Sequence, residues 1–357
     1  MNPKLGIAVT CACVALLMAG GGCSKKSTGV TPTPAPTVTG SAAPDTLYVQ
    51  DNGSKTVRVY RGASLLNGAA NAVETLPTSD VSNPDVIYSP VFDVLWYPSA
   101  YPNATLGPPV STPVKLWTAA STKNNMNPDQ QVPYSNGAGT ATYDSVNDVL
   151  YVANVNGPTV QIYKNAHLLT GASLPSANIT LIITDSGISG TPRPQEMLLD
   201  PGSGRLFVSD EGSVVAVFDN FAATALSAAN SGTSISLPAS REILGLSSPD
   251  GLAYSPANDI LFVGEISRRQ IDVIHNASTF SGPQGHSQTI TNFSTGPGGM
   301  AYDAVRDLLF VYDPIAINVI PNPETASGAF ANIPNRRQFF DTLVPLSGFG
   351  IAVDATH

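Results

Sequence analysis

An apolar triplet recurs six times along the chain: Leu47-Tyr48-Val49, Leu95-Trp96-Tyr97, Leu150-Tyr151-Val152, Leu206-Phe207-Val208, Leu261-Phe262-Val263 and Leu309-Phe310-Val311. Its leucines are 48, 55, 56, 55 and 48 residues apart. Short runs of β-branched and aromatic residues bounded by turn formers read as strands. Two residues before each leucine stands a turn former: Asp45, Asp93, Asp148, Gly204, Asp259 or Asp307. Six residues before it, in every unit but the first, stands Ser89, Asp144, Asp200, Ser255 or Asp303, each preceded by Tyr88, Tyr143, Leu199, Tyr254 or Tyr302. A unit therefore opens with a strand such as Gly251–Ser255, turns at Pro256–Asp259, and continues as Ile260–Val263. A third strand alternates with period two, as in Val57-Arg58-Val59-Tyr60, Val114-Lys115-Leu116-Trp117 and Ile271-Asp272-Val273-Ile274, with polar residues on one face and apolar ones on the other. The fourth strand is weaker, Ile179–Ile182 or Ser234–Leu237, and follows a recurrent Asn165-Ala166, Asn276-Ala277 or Asn322-Pro323 segment.

Four antiparallel strands repeated six times predict an all-β, six-bladed β-propeller over residues 45–357. The chain ends support the count. The first unit begins at Asp45-Thr46-Leu47, a second strand with no first strand before it, while Gly350-Ile351-Ala352-Val353-Asp354 is a first strand with nothing after it. The segment 350–354 is expected to complete the N-terminal blade, closing the ring and removing two open sheet edges.

Ahead of the repeats, Lys4 and the apolar run Leu5–Met18 precede Ala19-Gly20-Gly21-Gly22-Cys23. The run is too short to span a bilayer and has the layout of an export signal. It resembles a bacterial lipoprotein signal, with Gly20 departing from the usual leucine. The resemblance implies cleavage after residue 22, acylation of Cys23 and anchoring to a membrane. Ser24, next to it, implies the outer membrane rather than the inner one, with the chain periplasmic or surface-exposed. Cys11 and Cys13 would leave with the signal, so the mature chain forms no internal disulfide. Residues 23–44 are rich in Ser, Thr, Pro and Gly without periodicity and read as an extended tether.

Composition narrows the function classes. Charged residues are 12%, about half the usual share, so a coiled coil or helical bundle is not expected. The net charge of −9 argues against a nucleic-acid partner, which requires a basic stripe.

The units Gly251-Leu252-Ala253-Tyr254-Ser255 and Leu261-Phe262-Val263-Gly264-Glu265 resemble those of NHL-repeat, YVTN-type and gluconolactonase-like propellers. Those families include scaffolds, ligand binders and lactone hydrolases, so the resemblance implies architecture more than activity. Four residues after each repeat leucine lie Asp51, Ser99, Asn154, Asp210, Glu265 and Asp313. Their recurrence in every blade favours turn capping; the alternative is an acidic rim holding Ca²⁺ through oxygen ligands. At the start of the first strands stand Asp85, Thr140, Glu196, Gly251, Gly299 and Gly350, where Asp85 and Glu196 break a glycine-like pattern. Gluconolactonase-type enzymes place a metal-binding Glu at such a position, which makes Glu196, Asp210, Glu265 and Asp85 the candidate metal ligands. Tyr97 and Tyr101, on an irregular loop, and Arg193 and Arg241 are candidate ligand-binding residues. No nucleophile elbow, phosphate loop or metal-spaced histidine pair occurs, so no catalytic residue is assigned. The expectation is a lipid-anchored envelope module that binds a protein, peptide or glycan. The alternative is a Ca²⁺-dependent lactonase-like hydrolase.

Overall fold

A computed structural model describes residues 45–79, 85–99, 113–134, 137–154, 157–184, 192–210, 212–313, 315–342, 348 and 350–356. Cys23, Tyr101, the N-terminal signal and the tether lie outside the described residues. Ala43–His357 form one unit. Its strands make six sheets arranged as the blades of a propeller.

Blade 1 comprises Ile351–Asp354, Thr46–Asp51, Thr56–Arg61 and Glu74–Pro77, from the channel outward. Blade 2 is Ile87–Ser89, Val94–Pro98, Val114–Thr118 and Gln130–Val132; blade 3 is Ala138–Asp144, Val149–Asn154, Thr159–Lys164 and Ala177–Ile182. Blade 4 is Pro194–Asp200, Arg205–Asp210, Val215–Phe218 and Arg241–Leu244; blade 5 is Pro249–Ser255, Ile260–Glu265, Gln270–His275 and Thr289–Thr291. Blade 6 is Met300–Asp303, Leu308–Asp313, Ala316–Pro321 and Arg337–Phe340. The C-terminal strand pairs antiparallel with Thr46–Val49, and the Gln50 N–H donates to the Gly350 carbonyl at 2.9 Å. The ring is thus closed by the two ends of the chain.

Six apolar clusters hold the molecule together, one at each blade interface. The cluster between blades 6 and 1, where the ring closes, unites Leu47, Val49 and Tyr60 with Phe310, Tyr312 and Phe339. Within most interfaces an inner-strand tyrosine lies on an aromatic residue of the preceding blade. Tyr88 stacks on Tyr48 with centroids 4.6 Å apart, Tyr143 on Trp96 at 4.6 Å, Tyr254 on Phe207 at 5.2 Å and Tyr302 on Phe262 at 6.0 Å.

The same tyrosines explain the recurrent turn aspartates. Asp93, Asp148, Asp259 and Asp307 sit in the left-handed region, at φ of 51–53°, closing the turn between first and second strands. Their carboxylates accept the Tyr88, Tyr143, Tyr254 and Tyr302 hydroxyls at 2.8–3.0 Å. Three of them also cap the connection after the third strand: Asp93 accepts from Ser121 N, Asp148 from His167 N and Asp259 from Ser278 N. That connection opens at a left-handed residue in each blade: Gly62, Ala119, Asn165, Asn220, Asn276 or Asn322. The recurrent asparagine of the sequence is there because Asn tolerates αL.

Blade 4 lacks both the tyrosine and the aspartate, having Leu199 and Gly204. Its connection is instead the α-helix Phe221–Ser231. A Cβ on Gly204 would lie 3.2 Å from the Ala222 Cβ, so the helix starts where an aspartate would crowd it. Phe221, Ala222, Ala225, Ala228 and Ala229 form its buried stripe, and left-handed Gly232 ends it.

Two features differ from the sequence reading. Four sheets gain a fifth, parallel strand contributed by the following blade: Ile235–Pro238, Gly282–Pro283, Gly328–Ala329 and Gly68–Ala69. Ser234–Leu237 was expected as a fourth strand. Ile235–Pro238 instead covers the outer edge of blade 3, and Arg241–Leu244 serves as the fourth strand of blade 4. The polar face of the third strands is also buried, because each blade packs on both sides. Arg58, Lys115, Asp272 and Asn318 are all at most 5% exposed, and each has a polar partner: Asp51, the Thr78 carbonyl, His286 and Gln338 respectively.

Candidate functional site

The inner strands of all six blades enclose a cavity of 390 Å³ along the ring axis. Most of its lining is apolar, from Val86, Met197, Leu252, Met300 and Ile351 among others, while Asp85 and Glu196 supply carboxylates. Asp85 accepts the Val86 N–H at 2.8 Å and the Thr140 hydroxyl at 3.2 Å. The Thr140 oxygen in turn accepts the Met197 N–H at 3.1 Å, tying blades 2, 3 and 4 together. Glu196 reaches across to blade 5 and accepts the Leu252 N–H at 2.9 Å.

Asp250 joins these two acids. Burial pushes its carboxyl up to about 7, reinforced by the charge of Asp85. Asp85 is likewise pushed up to about 7, by burial against the opposing Val86, Thr140 and Ala141 hydrogen bonds. Glu196 is raised well above its ordinary value by burial and then by the charges of Asp85 and Asp250. Three blades therefore bring three mutually repelling carboxyl groups to the channel mouth. Among the described residues none of the three forms an ion pair with a lysine or arginine.

Asp250 was missed because the repeat alignment placed Gly251 at the rim. The ladder between Pro249–Ser255 and Ile260–Glu265 shifts register between Pro249 and Leu252, which re-aims the residues at the mouth. The only signal for it was an acid beside a repeat position. Gly251 itself has a packing reason: a Cβ there would run into the Gly298 carbonyl of the neighbouring blade.

The remaining candidates lie elsewhere. Asp210 accepts the Arg193 N–H at 2.6 Å, and the Arg193 side chain is exposed. Asp51 accepts from Gly53 N and Ser54 and caps its own turn, whereas Asp313 accepts from Ser294 and Thr295 on the segment that enters blade 6. Arg241 pairs with Asp219, which Arg205 also meets at 2.8 Å. Tyr97 is buried, with Gln50 3.4 Å from its hydroxyl and the Lys115 ammonium 5.8 Å above its ring. Glu265 sits with Arg268 at 2.7 Å, outside the channel lining. Glu196, Asp210, Glu265 and Asp85 thus do not form one group. Among the described residues the group of three whose ligand atoms all lie within 4.8 Å of one another is Glu265, Asp272 and His286.

No protein-family model and no curated protein matches the chain. A solved structure described as "Crystal structure of Nidogen/Laminin Complex" superposes with a TM-score of 0.53 at 10% identity, covering 87% of this chain and 98% of that one. At that identity the likeness concerns the fold. The chain is a six-bladed β-propeller with a polar, acid-lined mouth to its central cavity.

Proposed function

We propose that this protein is a binding module of the cell envelope, held at a membrane through acylated Cys23. Its channel mouth receives a ligand that presents a cationic group, such as a basic side chain of a partner protein or peptide. The observation that supports this reading is the convergence of Asp85, Glu196 and Asp250, from blades 2, 4 and 5, without a paired cation among the described residues. Buried carboxylates destabilise a fold unless a positive group meets them, so an incoming cation gains most where none is built in. Asp51 and Asp313, by contrast, are met by neighbouring backbone and hydroxyl donors.

The test is calorimetric titration of the chain from Ser24 onward with a lysine-rich peptide and a glutamate-rich counterpart, at about pH 8 where Asp85 and Asp250 ionise. Saturable binding of the basic peptide alone, abolished in an Asp85→Asn/Glu196→Gln variant, is expected. Equal binding by wild type and variant, or none, contradicts the reading. For the anchor, Cys23→Ser is expected to end incorporation of labelled fatty acid and release the protein from membranes.

A second reading is a lactone or ester hydrolase at the same mouth. It is favoured by carboxyls held near 7, where a general base works best, beside a cavity of ligand size. Saturable lactone turnover lost in Glu196→Gln would establish it over the binding module.

A further inference from the structure

The repeat supplies an internal comparison. In blade 1 the acid that ends the second strand, Asp51, is neutralised by Arg58 of the third strand, Oδ2 to Nη2 2.6 Å. Asp341 takes the other arm of that guanidinium. The same two positions in blade 5 hold Glu265 and Asp272, since Val263 faces Asp272 in the ladder as Val49 faces Arg58. An acid stands where blade 1 has its cation. Both Glu265 and Asp272 are 0% exposed.

A third group completes the cluster. His286, on the connection between the third and fourth strands, places Nδ1 2.7 Å from Asp272 Oδ2 and 3.5 Å from Glu265 Oε1. That Oε1 is buried and has no hydrogen-bond partner. The positive charge present is Arg268, whose Nη1 lies 2.7 Å from Glu265 Oε2 and 2.9 Å from His286 Nε2. Two buried carboxyl groups thus meet beside one guanidinium, and the Glu265 Oε1 faces the imidazole.

We propose that Glu265, Asp272 and His286 bind a divalent transition metal of the zinc class between blades 4 and 5. Two carboxylate oxygens and an imidazole nitrogen are ligands zinc takes, at about 2.0–2.2 Å, and the imidazole favours it over calcium. Three protein ligands leave a fourth position for water or an incoming donor. Gln270 Nε2 donates to the other Asp272 oxygen at 2.9 Å and fixes that carboxylate from behind. Arg268 bonds His286 Nε2 as an acceptor, so the proton lies on Nδ1 in the metal-free form. Metal at Nδ1 moves that proton to Nε2, and Arg268, with a side chain 39% exposed, swings into solvent. The site is separate from the channel mouth and does not depend on the binding reading above.

The test is calorimetric titration of chelator-treated protein, from Ser24 onward, with Zn²⁺ and separately with Ca²⁺. One Zn²⁺ per chain is expected, with a raised thermal midpoint. His286→Ala and Asp272→Asn are expected to weaken Zn²⁺ at least about tenfold while keeping the wild-type circular dichroism. Arg268→Gln, which removes the competing cation, is expected to keep Zn²⁺ binding or tighten it. No Zn²⁺ binding by wild type, Zn²⁺ binding unchanged in His286→Ala, or a preference for Ca²⁺ overturns the proposal.

Discussion

If the acids at the channel mouth are uncompensated, they weaken the fold whenever they ionise, and neutralising one should strengthen it. Asp85 is the cleanest position. Its carboxyl is raised from 3.8 to about 7. Because the native value lies above the unfolded one, the stabilising contribution is complete below about pH 4 and is lost as pH rises through about 7. At 1.36 kcal/mol per unit, the loss at one site is roughly 4 kcal/mol. Asp85→Asn keeps an acceptor for the Val86 N–H but replaces one oxygen with an amide at the Thr140 hydroxyl, a change of about 1 kcal/mol. Urea unfolding should therefore show the variant within about 1 kcal/mol of wild type at about pH 4, and about 1–3 kcal/mol more stable at about pH 8. Equal destabilisation at both pH values would refute the reasoning, because it would mean that the charge is already met.

Other outcomes follow from the repeat. Asp259→Ala removes an acceptor of three hydrogen bonds, from Tyr254 and twice from Ser278, and is expected to lose about 2–4 kcal/mol in urea unfolding. About a third of that loss should vanish in a Ser278→Ala background, which removes the hydroxyl bond and keeps those from the Ser278 N–H and Tyr254, as a double-mutant cycle will show. Ala119 occupies φ 52° where other blades have Asn or Gly, so Ala119→Asn is expected to raise stability by about 0.5–1 kcal/mol, read as a higher urea midpoint. Ending the chain before Gly350 removes the inner strand of blade 1 and exposes Thr46–Asp51 as an edge; gel filtration should show aggregation in place of a monomeric peak.

How far the chain discloses this arrangement depends on what each residue is used for. The leucine triplets were legible because the second strand of every blade is buried on both faces, which produces a continuous apolar run. The turn aspartates were legible as a period, although their partners, a tyrosine five residues back and a connection nineteen residues on in blade 5, were not. The fifth strands carry no pattern of their own. They are short backbone pairings such as Gly282 and Pro283 beside Ile243 and Leu244, and Ile235–Pro238 looked like a fourth strand because the helix before it was unforeseen. Asp85 and Glu196 stood out by breaking a glycine position, whereas a register shift hid Asp250. Asp272 and His286 were invisible as a pair, since only the fold of the connection brings one against the other.

The proposal that the channel mouth takes a positive ligand rests on carboxyl groups with no ion-paired lysine or arginine among the described residues. Its most direct test is an NMR pH titration of ¹³C-labelled side-chain carboxyls, assigned with Asp85→Asn, Glu196→Gln and Asp250→Asn. Asp85 and Asp250 are expected to titrate near 7 and Glu196 well above its ordinary value, with neutralisation of Asp85 lowering the other two. Three independent titrations near about 4 would contradict it.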